Sequence, residues 1–475
     1  MPYGLTIWLE IHCKLLTDSK VFCRCRNEQD FDTLPANTHI CPVCTWQPGA
    51  LPTLSTSTIE KAAALGMLLW CTQQEMSHFD RKSYFYPDLP MWYQITQFNK
   101  PLNINWLVIY HTIDYSETKQ VHITQAHVEC DTAKTAQFNG EILLDFNRAG
   151  TPLVEIVTWP DFHSADEVHG FIREIQRTLK YNWISLAEMD KWQMRCDVNI
   201  SVSTSNILGT KVEIKNMNSI SAIKRAIAYE YTRQTTTLES GWNVAQETRW
   251  RDDMKWESYS MRSKENSLDY RYFPEPDLPP LHYTDVIKVK SQSLISETIA
   301  AKIERYLKEY EFHKEYINGI LTDESVTRLF ELCIDRWFNP KTVAKYLVNY
   351  VLAYTNIGTI KLSDTAFDAD EFMLFLQTIQ ADNISDNIAK QIIITYLETR
   401  KPMNEILADN KKSQDVTIDV DSIINDVITT NQKVVDEYKW WKKTAIWFLI
   451  WQVMKKTWGV LQPQEVQKKL ENVIG

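Results

Sequence analysis

The signal for β-strands stops partway along this chain. Up to about residue 290, short β-rich runs recur: LTIWLEIHCKL, WLVIYHTI, VHITQAHVE, LVEIVTW, VNISVS and KVEIKN. Turn signals and helical patterns near 56–69, 164–180 and 219–239 separate them. The prolines between Pro274 and Pro280 mark a boundary, because each fixes φ and withdraws an N–H. From 291 onward apolar residues recur only at helical spacing, as in IAAKIERYLKEYEF and TVAKYLVNYVLAY. Strands followed by helices indicate an α+β protein. The pattern predicts a mixed α/β domain with a mostly antiparallel sheet over 1–290, a helical domain over 291–409 and a basic helical tail over 410–475.

A length of 475 residues suits two or three cores. The start, MPYGLTIWLEIH, has no basic segment of the kind that opens a secretory leader, and the longest apolar run, Ala445–Met454, is too short to span a membrane. Nine cysteines in such a chain point to the reducing cytoplasm, and no membrane partner is expected. A net charge of −10 argues against a protein that simply coats nucleic acid. Residues 431–475 nevertheless carry eight lysines, Lys442, Lys443, Lys455 and Lys456 among them, against four acidic residues. Such a tail suits a grip on a polyanion; the plainer reading is a solvated helix face.

Cys23, Cys25, Cys41 and Cys44 form C-x-C-x15-C-x2-C. Two close thiolate pairs joined by a loop suit a structural zinc knuckle, since four protein ligands leave no open position for substrate. Glu10 and His12 alternate on one predicted strand and share a face, as do His127, Glu129 and Asp131 on another. Asp197 and Glu213 close two further strands. With no lysine in register, these acids suit a hard cation such as Mg²⁺; the alternative is a set of unrelated surface carboxylates. Neither G-x-x-x-x-G-K-[ST] nor G-x-G-x-x-G occurs, so no motif announces a nucleotide.

Two segments pair a basic-aromatic cluster with a Pro-Asp-Leu-Pro turn: FDRKSYFYPDLPMWYQ at 79–94 and DYRYFPEPDLPP at 269–280. With CPVC at 41–44, LDFNRAGTPLVEIV at 144–157, RCDVNISV at 195–202 and KVEIKNMNS at 211–219, they give the chain its family resemblance. From about Ile7 to its end it resembles the GatB family, the B subunits of the tRNA-dependent aspartyl/glutamyl amidotransferases. The resemblance implies an ATP-dependent ligase that converts mischarged Glu-tRNA(Gln) or Asp-tRNA(Asn) to the amide. It implies Glu10, His12, Glu129, Asp197 and Glu213 at the catalytic centre, the first three at Mg²⁺. Arg81, Lys82, Arg148, Arg195 and Lys215 fall inside matching motifs and are the expected contacts to ATP or substrate, with the tail lysines on tRNA. Partners implied are the amidase (A) subunit, which supplies ammonia, and the small (C) subunit. Where the family has two consecutive glutamates, this chain has Glu129 and Cys130, which places a poor Mg²⁺ ligand near the expected metal. A non-catalytic, zinc-containing RNA-binding protein on the same scaffold is the rival reading.

The chain holds 17 Trp and only 12 Gly, although glycine averages about 7% of residues. Trp8, Trp46, Trp92, Trp106, Trp183, Trp192, Trp242, Trp447 and Trp451 stand where the family typically has glycine, and Trp256, Trp337 and Trp458 look alike. One replacement repeated so often predicts a source organism that reads UGA as glycine. The alternatives are a lineage rich in tryptophan or a decaying gene.

Overall fold

The computed structural model describes residues 3–474 except 206, 253–256, 264–269, 358–361, 363–366, 383, 416–419, 441–444 and 457–462. Trp256, Trp458, Lys442 and Lys443 therefore lie outside the described residues. The chain divides into two compact units, Met1–Arg305 and Tyr306–Gly475.

The first unit is built on a 12-stranded sheet with the strand Gly4–Lys14 near its middle. Alternation explains that position. Ile7, Leu9, Ile11 and Cys13 are fully buried on one face, while Glu10 and His12 point to the other. The strand pairs antiparallel with Met194–Ser203 on one side and Pro152–Thr158 on the other. Outward from the first neighbour lie Val212–Met217, Glu247–Asp252 and Glu257–Ser263. Outward from the second lie Thr118–Cys130, Tyr93–Thr96, Asp80–Ser83 and Phe273–Pro274. Among the described pairings only Val212–Met217 with Glu247–Asp252 is parallel.

Helices Thr56–Leu68, Ala165–Tyr181 and Ile220–Glu239 help to build the core of this unit. The second begins where Ser164 Oγ accepts from the Glu167 N–H at 3.1 Å and the Glu167 carboxylate accepts from the His163 N–H at 2.7 Å. Its buried stripe, Val168, Phe171, Ile172, Ile175 and Leu179, has helical spacing. Each such side chain contributes about 1.5–3 kcal/mol by leaving water. The third helix is capped in the same way, Ser219 Oγ accepting from the Ala222 N–H. The apolar side of the sheet serves this core, and the side bearing Glu10 and His12 is left to polar groups.

The second unit is helical throughout its described residues. Tyr306, Phe312 and Phe330 pack ring to ring at one end. Ile424, Val427, Leu449, Val453, Val466 and Leu470 belong to a separate apolar core near the C-terminus. No described helix is long and apolar enough to cross a membrane.

The tryptophan anomaly has a backbone counterpart. Trp46, Trp70, Trp92, Trp183, Trp192 and Trp337 all take φ between 52° and 68°, the left-handed region that disfavours residues with a Cβ. Five of the six sit in one hydrogen-bond pattern. At Trp70 its own N–H donates to the Met67 carbonyl and the Cys71 N–H reaches back to Gly66. The same pair of bonds closes at Trp46, Trp183, Trp192 and Trp337. This is the Schellman turn, whose left-handed position belongs to glycine. At the end of Ile220–Glu239 it is Gly241, at φ 78°, that holds this position, and Trp242 follows it. Trp70 is an addition that the family's glycine pattern did not flag.

Candidate active site

The polar face of the sheet is assembled by register. His12 stands opposite Arg195 on one side and Glu155 on the other, and Glu155 stands opposite His127. Glu129 pairs with Thr96, two residues from Gln94, which pairs with Lys82. Residues in direct register share a face, so side chains scattered from position 10 to 215 converge there. They form two groups, His12–Glu129–Glu155 and Glu10–Asp197–Glu213, each with donor atoms within 4.8 Å of one another.

In the first group, His12 Nε2 lies 3.5 Å from Glu129 Oε1 and 3.7 Å from Glu155 Oε2. His127 Nε2 is 3.2 Å from the same Glu155 oxygen. Burial acts to raise the Glu155 carboxyl, but His12, His127 and Lys82 outweigh it and hold the group below its usual range. One imidazole and two carboxylates brought within 4.8 Å suit a divalent cation. The sequence reading missed Glu155. Its signal was an acid inside the apolar run LVEIV, in parity with nothing else on that strand that is charged.

The second group corrects an expectation. Lysines do pair with these acids: Lys215 Nζ lies 2.8 Å from Asp197 and 3.3 Å from Glu213, and Lys211 Nζ lies 3.6 Å from Glu10. The Asn216 N–H adds a bond to Asp197 at 2.7 Å, and Asn199 donates to Glu10 at 3.1 Å. Burial opposes ionisation of Asp197, but Lys215 and His12 hold its carboxyl below the usual range. Glu10 thus belongs with Asp197 rather than with His12 and Glu129.

The expected basic residues separate into roles. Lys82 points to the site, under the fields of Glu129 and Glu155 and beside the rings of Tyr270 at 5.0 Å and Tyr84 at 5.9 Å. Among the described residues no hydrogen bond or ion pair closes on its ammonium. Arg81 alternates away and forks onto Glu275 with two bonds of 2.8 Å, reaching Asp277 at 3.2 Å. It ties the two proline segments together. Arg148 and Arg195 each lie 3.6 Å from opposite oxygens of Asp131 and draw its carboxyl down against burial. Asp131 is therefore engaged by arginines and does not join the His12 group. Cys130 faces away from Glu129; it lines a small cavity with Phe22, Cys23, Cys44 and Met91, and burial pushes its thiol up to about 12. It is not positioned as a ligand of the His12 group.

The four cysteines converge as the spacing predicts. Cys44 Sγ is 3.8 Å from Cys41 Sγ and 4.0 Å from Cys25 Sγ, and all four sulfurs lie within 4.8 Å. A tetrahedron with Zn–S bonds of about 2.3 Å puts sulfurs about 3.8 Å apart, so the donor set fits zinc. The Cys41 N–H donates to Cys44 Sγ at 3.1 Å. Hydrogen bonding from Cys23, then the Lys20 ammonium, draws the Cys44 thiol down to about 5. Protein purified without chelator is expected to hold about one equivalent of zinc, and Cys44→Ser to lose it along with stability, because the binding energy of such a site is folding energy. Metal analysis that finds none in the parent protein overturns the assignment.

Comparison with known proteins places this geometry. Residues 5–288 match the family described as the GatB/GatE catalytic domain, so the sheet unit is a catalytic domain of that class. Residues 328–474 match the family described as the GatB domain. The chain belongs to the GatB family. It is similar along its length to proteins named as B subunits of aspartyl/glutamyl-tRNA(Asn/Gln) amidotransferase. That of Ruminiclostridium cellulolyticum is 37% identical, covering 99% of this chain and 97% of the relative. Those of Caldicellulosiruptor bescii and Crocosphaera subtropica are 39% and 37% identical, each covering 99% of this chain and 98% of the relative.

Proposed function

We propose that this chain is the component of a cytoplasmic tRNA-dependent amidotransferase that activates the side-chain carboxylate of a mischarged Glu-tRNA(Gln) or Asp-tRNA(Asn). The observation that carries this reading is the meeting of His12, Glu129, Glu155 and Lys82 on one sheet face of a GatB-family chain. His12, Glu129 and Glu155 would hold Mg²⁺. When bound, ATP and Mg²⁺ would supply the phosphoryl group and offset its charge: the side-chain carboxylate would take the γ-phosphoryl group as ADP leaves, and ammonia would then displace phosphate from the activated acyl carbon to give the amide. The Lys82 ammonium, set among tyrosine rings, meets the anionic group that forms. Lys215 fixes Asp197 and Glu213 beside Glu10, which keeps the neighbouring acids apart from the metal ligands.

The amidase (A) subunit would release the ammonia and the small (C) subunit would join the complex; the relatives' name, which makes each of them one lettered subunit among others, supports a multi-subunit assembly. The lysine-rich tail, with Lys442, Lys443, Lys455 and Lys456, would hold the tRNA through its phosphates. The test is ATP hydrolysis and amide formation in the reconstituted complex. Both are expected to require mischarged tRNA, and Lys82→Met is expected to lower them by about 10²–10³-fold with tRNA affinity within a few-fold. Binding of tRNA without turnover in the parent complex would favour the RNA-binding alternative.

A further inference from the structure

We propose that Lys20 is a positioning residue that couples metal binding in the cysteine knuckle to the Arg148–Asp131–Arg195 edge of the reactive face. Its catalytic consequence rests on the function proposed above. Lys20 has no exposed surface, a state that lysine tolerates only when its ammonium is satisfied. Three acceptors meet its three N–H donors: Cys44 Sγ at 3.6 Å, the His39 carbonyl at 2.9 Å and the Phe146 carbonyl at 3.5 Å. Two of these belong to the knuckle and the third to the loop beyond it. Four thiolates around a divalent ion leave a net charge of about −2, which a buried ammonium beside one sulfur partly offsets.

Asn147 makes a second tie from the same loop. It is fully buried; its Oδ1 accepts from the N–H groups of Thr38 and His39, each at 2.8 Å, and its Nδ2 donates to the Pro35 carbonyl at 2.9 Å. The loop then carries Arg148, which donates to the carbonyls of Thr132 and Ala133 beside Asp131. Gly150 donates to the Asp131 carbonyl at 3.0 Å and accepts from the Val21 N–H, next to Lys20, at 2.9 Å. Asp131 in turn faces Arg195, the residue in register with His12. A continuous set of bonds thus runs from Cys44 through Lys20 and the 146–151 loop to Asp131–Ala133, directly after the strand that bears Glu129.

Two measurements on the full-length protein test this. Competition with a chromophoric chelator should show Lys20→Met binding zinc about 10–100-fold more weakly than the parent, the range for loss of an outer-shell partner. Removing zinc from the parent should speed amide hydrogen exchange across 144–151 while leaving the helix Ile220–Glu239 unchanged. In the complex, zinc-depleted protein should lose kcat with KM for tRNA held. Equal zinc affinity in Lys20→Met, or exchange over 144–151 indifferent to zinc, overturns the coupling. If Lys20→Met does not fold, the exchange arm on the parent protein decides. A zinc-loaded parent complex that forms no amide sinks the proposed reaction instead, and leaves the affinity and exchange readouts standing.

Discussion

Glu155→Gln is expected to cut amide formation by about 10²–10³-fold while tRNA binding stays within a few-fold. Glu155 is the acid that both imidazoles share, at 3.7 Å from His12 and 3.2 Å from His127. A glutamine keeps the shape and an accepting oxygen but removes the charge, so the cation loses an anionic ligand and both imidazoles lose the carboxylate they share. Because the folded carboxyl lies below its ordinary value of about 4.3, its stabilising contribution is complete above that value and fades only as pH falls toward the folded one. Glu155 itself therefore stays ionised throughout pH 6 to 8. Parent-like turnover in the variant would show that the centre is elsewhere on the face.

The second large effect concerns stability. Restoring glycine together at positions 46, 70, 92, 183, 192 and 337 is expected to stabilise the protein by about 6 kcal/mol, at about 1 kcal/mol for each left-handed residue relieved of its Cβ. Urea unfolding followed by circular dichroism reads this as a higher midpoint. Trp46 packs on the core with its ring 5.8 Å from Tyr93, so its indole offsets part of its own gain, whereas the most exposed indoles contribute little in return. Trp337 is 95% exposed and Trp92 66% exposed, so few neighbours are lost. A midpoint no higher than that of the tryptophan version would count against glycine at these sites. Tryptic mass spectrometry of the native protein addresses the recoding directly, since each recoded position differs in mass from tryptophan.

Why some of this was legible in the sequence follows from the distance over which each signal acts. The strand LTIWLEIHC shows its own parity, so Glu10 and His12 could be placed on one face from the residues alone. The helices near 56, 164 and 219 announce themselves through local periodicity, and the cysteine spacing fixes its own geometry. Partnership between strands is set by register, which no single segment contains. That is why Glu10 could be grouped with His12 although its neighbour is Asp197, and why Lys215 escaped notice as its counter-ion. Cys130 shows the reverse: parity along HVEC already turns it away from Glu129, and the family's pair of glutamates obscured a fact that the strand itself carried.

The place of Gly4–Lys14 between Pro152–Thr158 and Met194–Ser203 has a consequence for synthesis. The innermost strand of the reactive face leaves the ribosome first, and its two neighbours follow only after some 140 and 180 further residues. At about 5–20 residues per second, it waits roughly 10–40 s for a complete set of hydrogen-bond partners. During that interval Ile7, Leu9 and Ile11 form an unpaired apolar ribbon on a nascent chain, the kind of segment that chaperones hold.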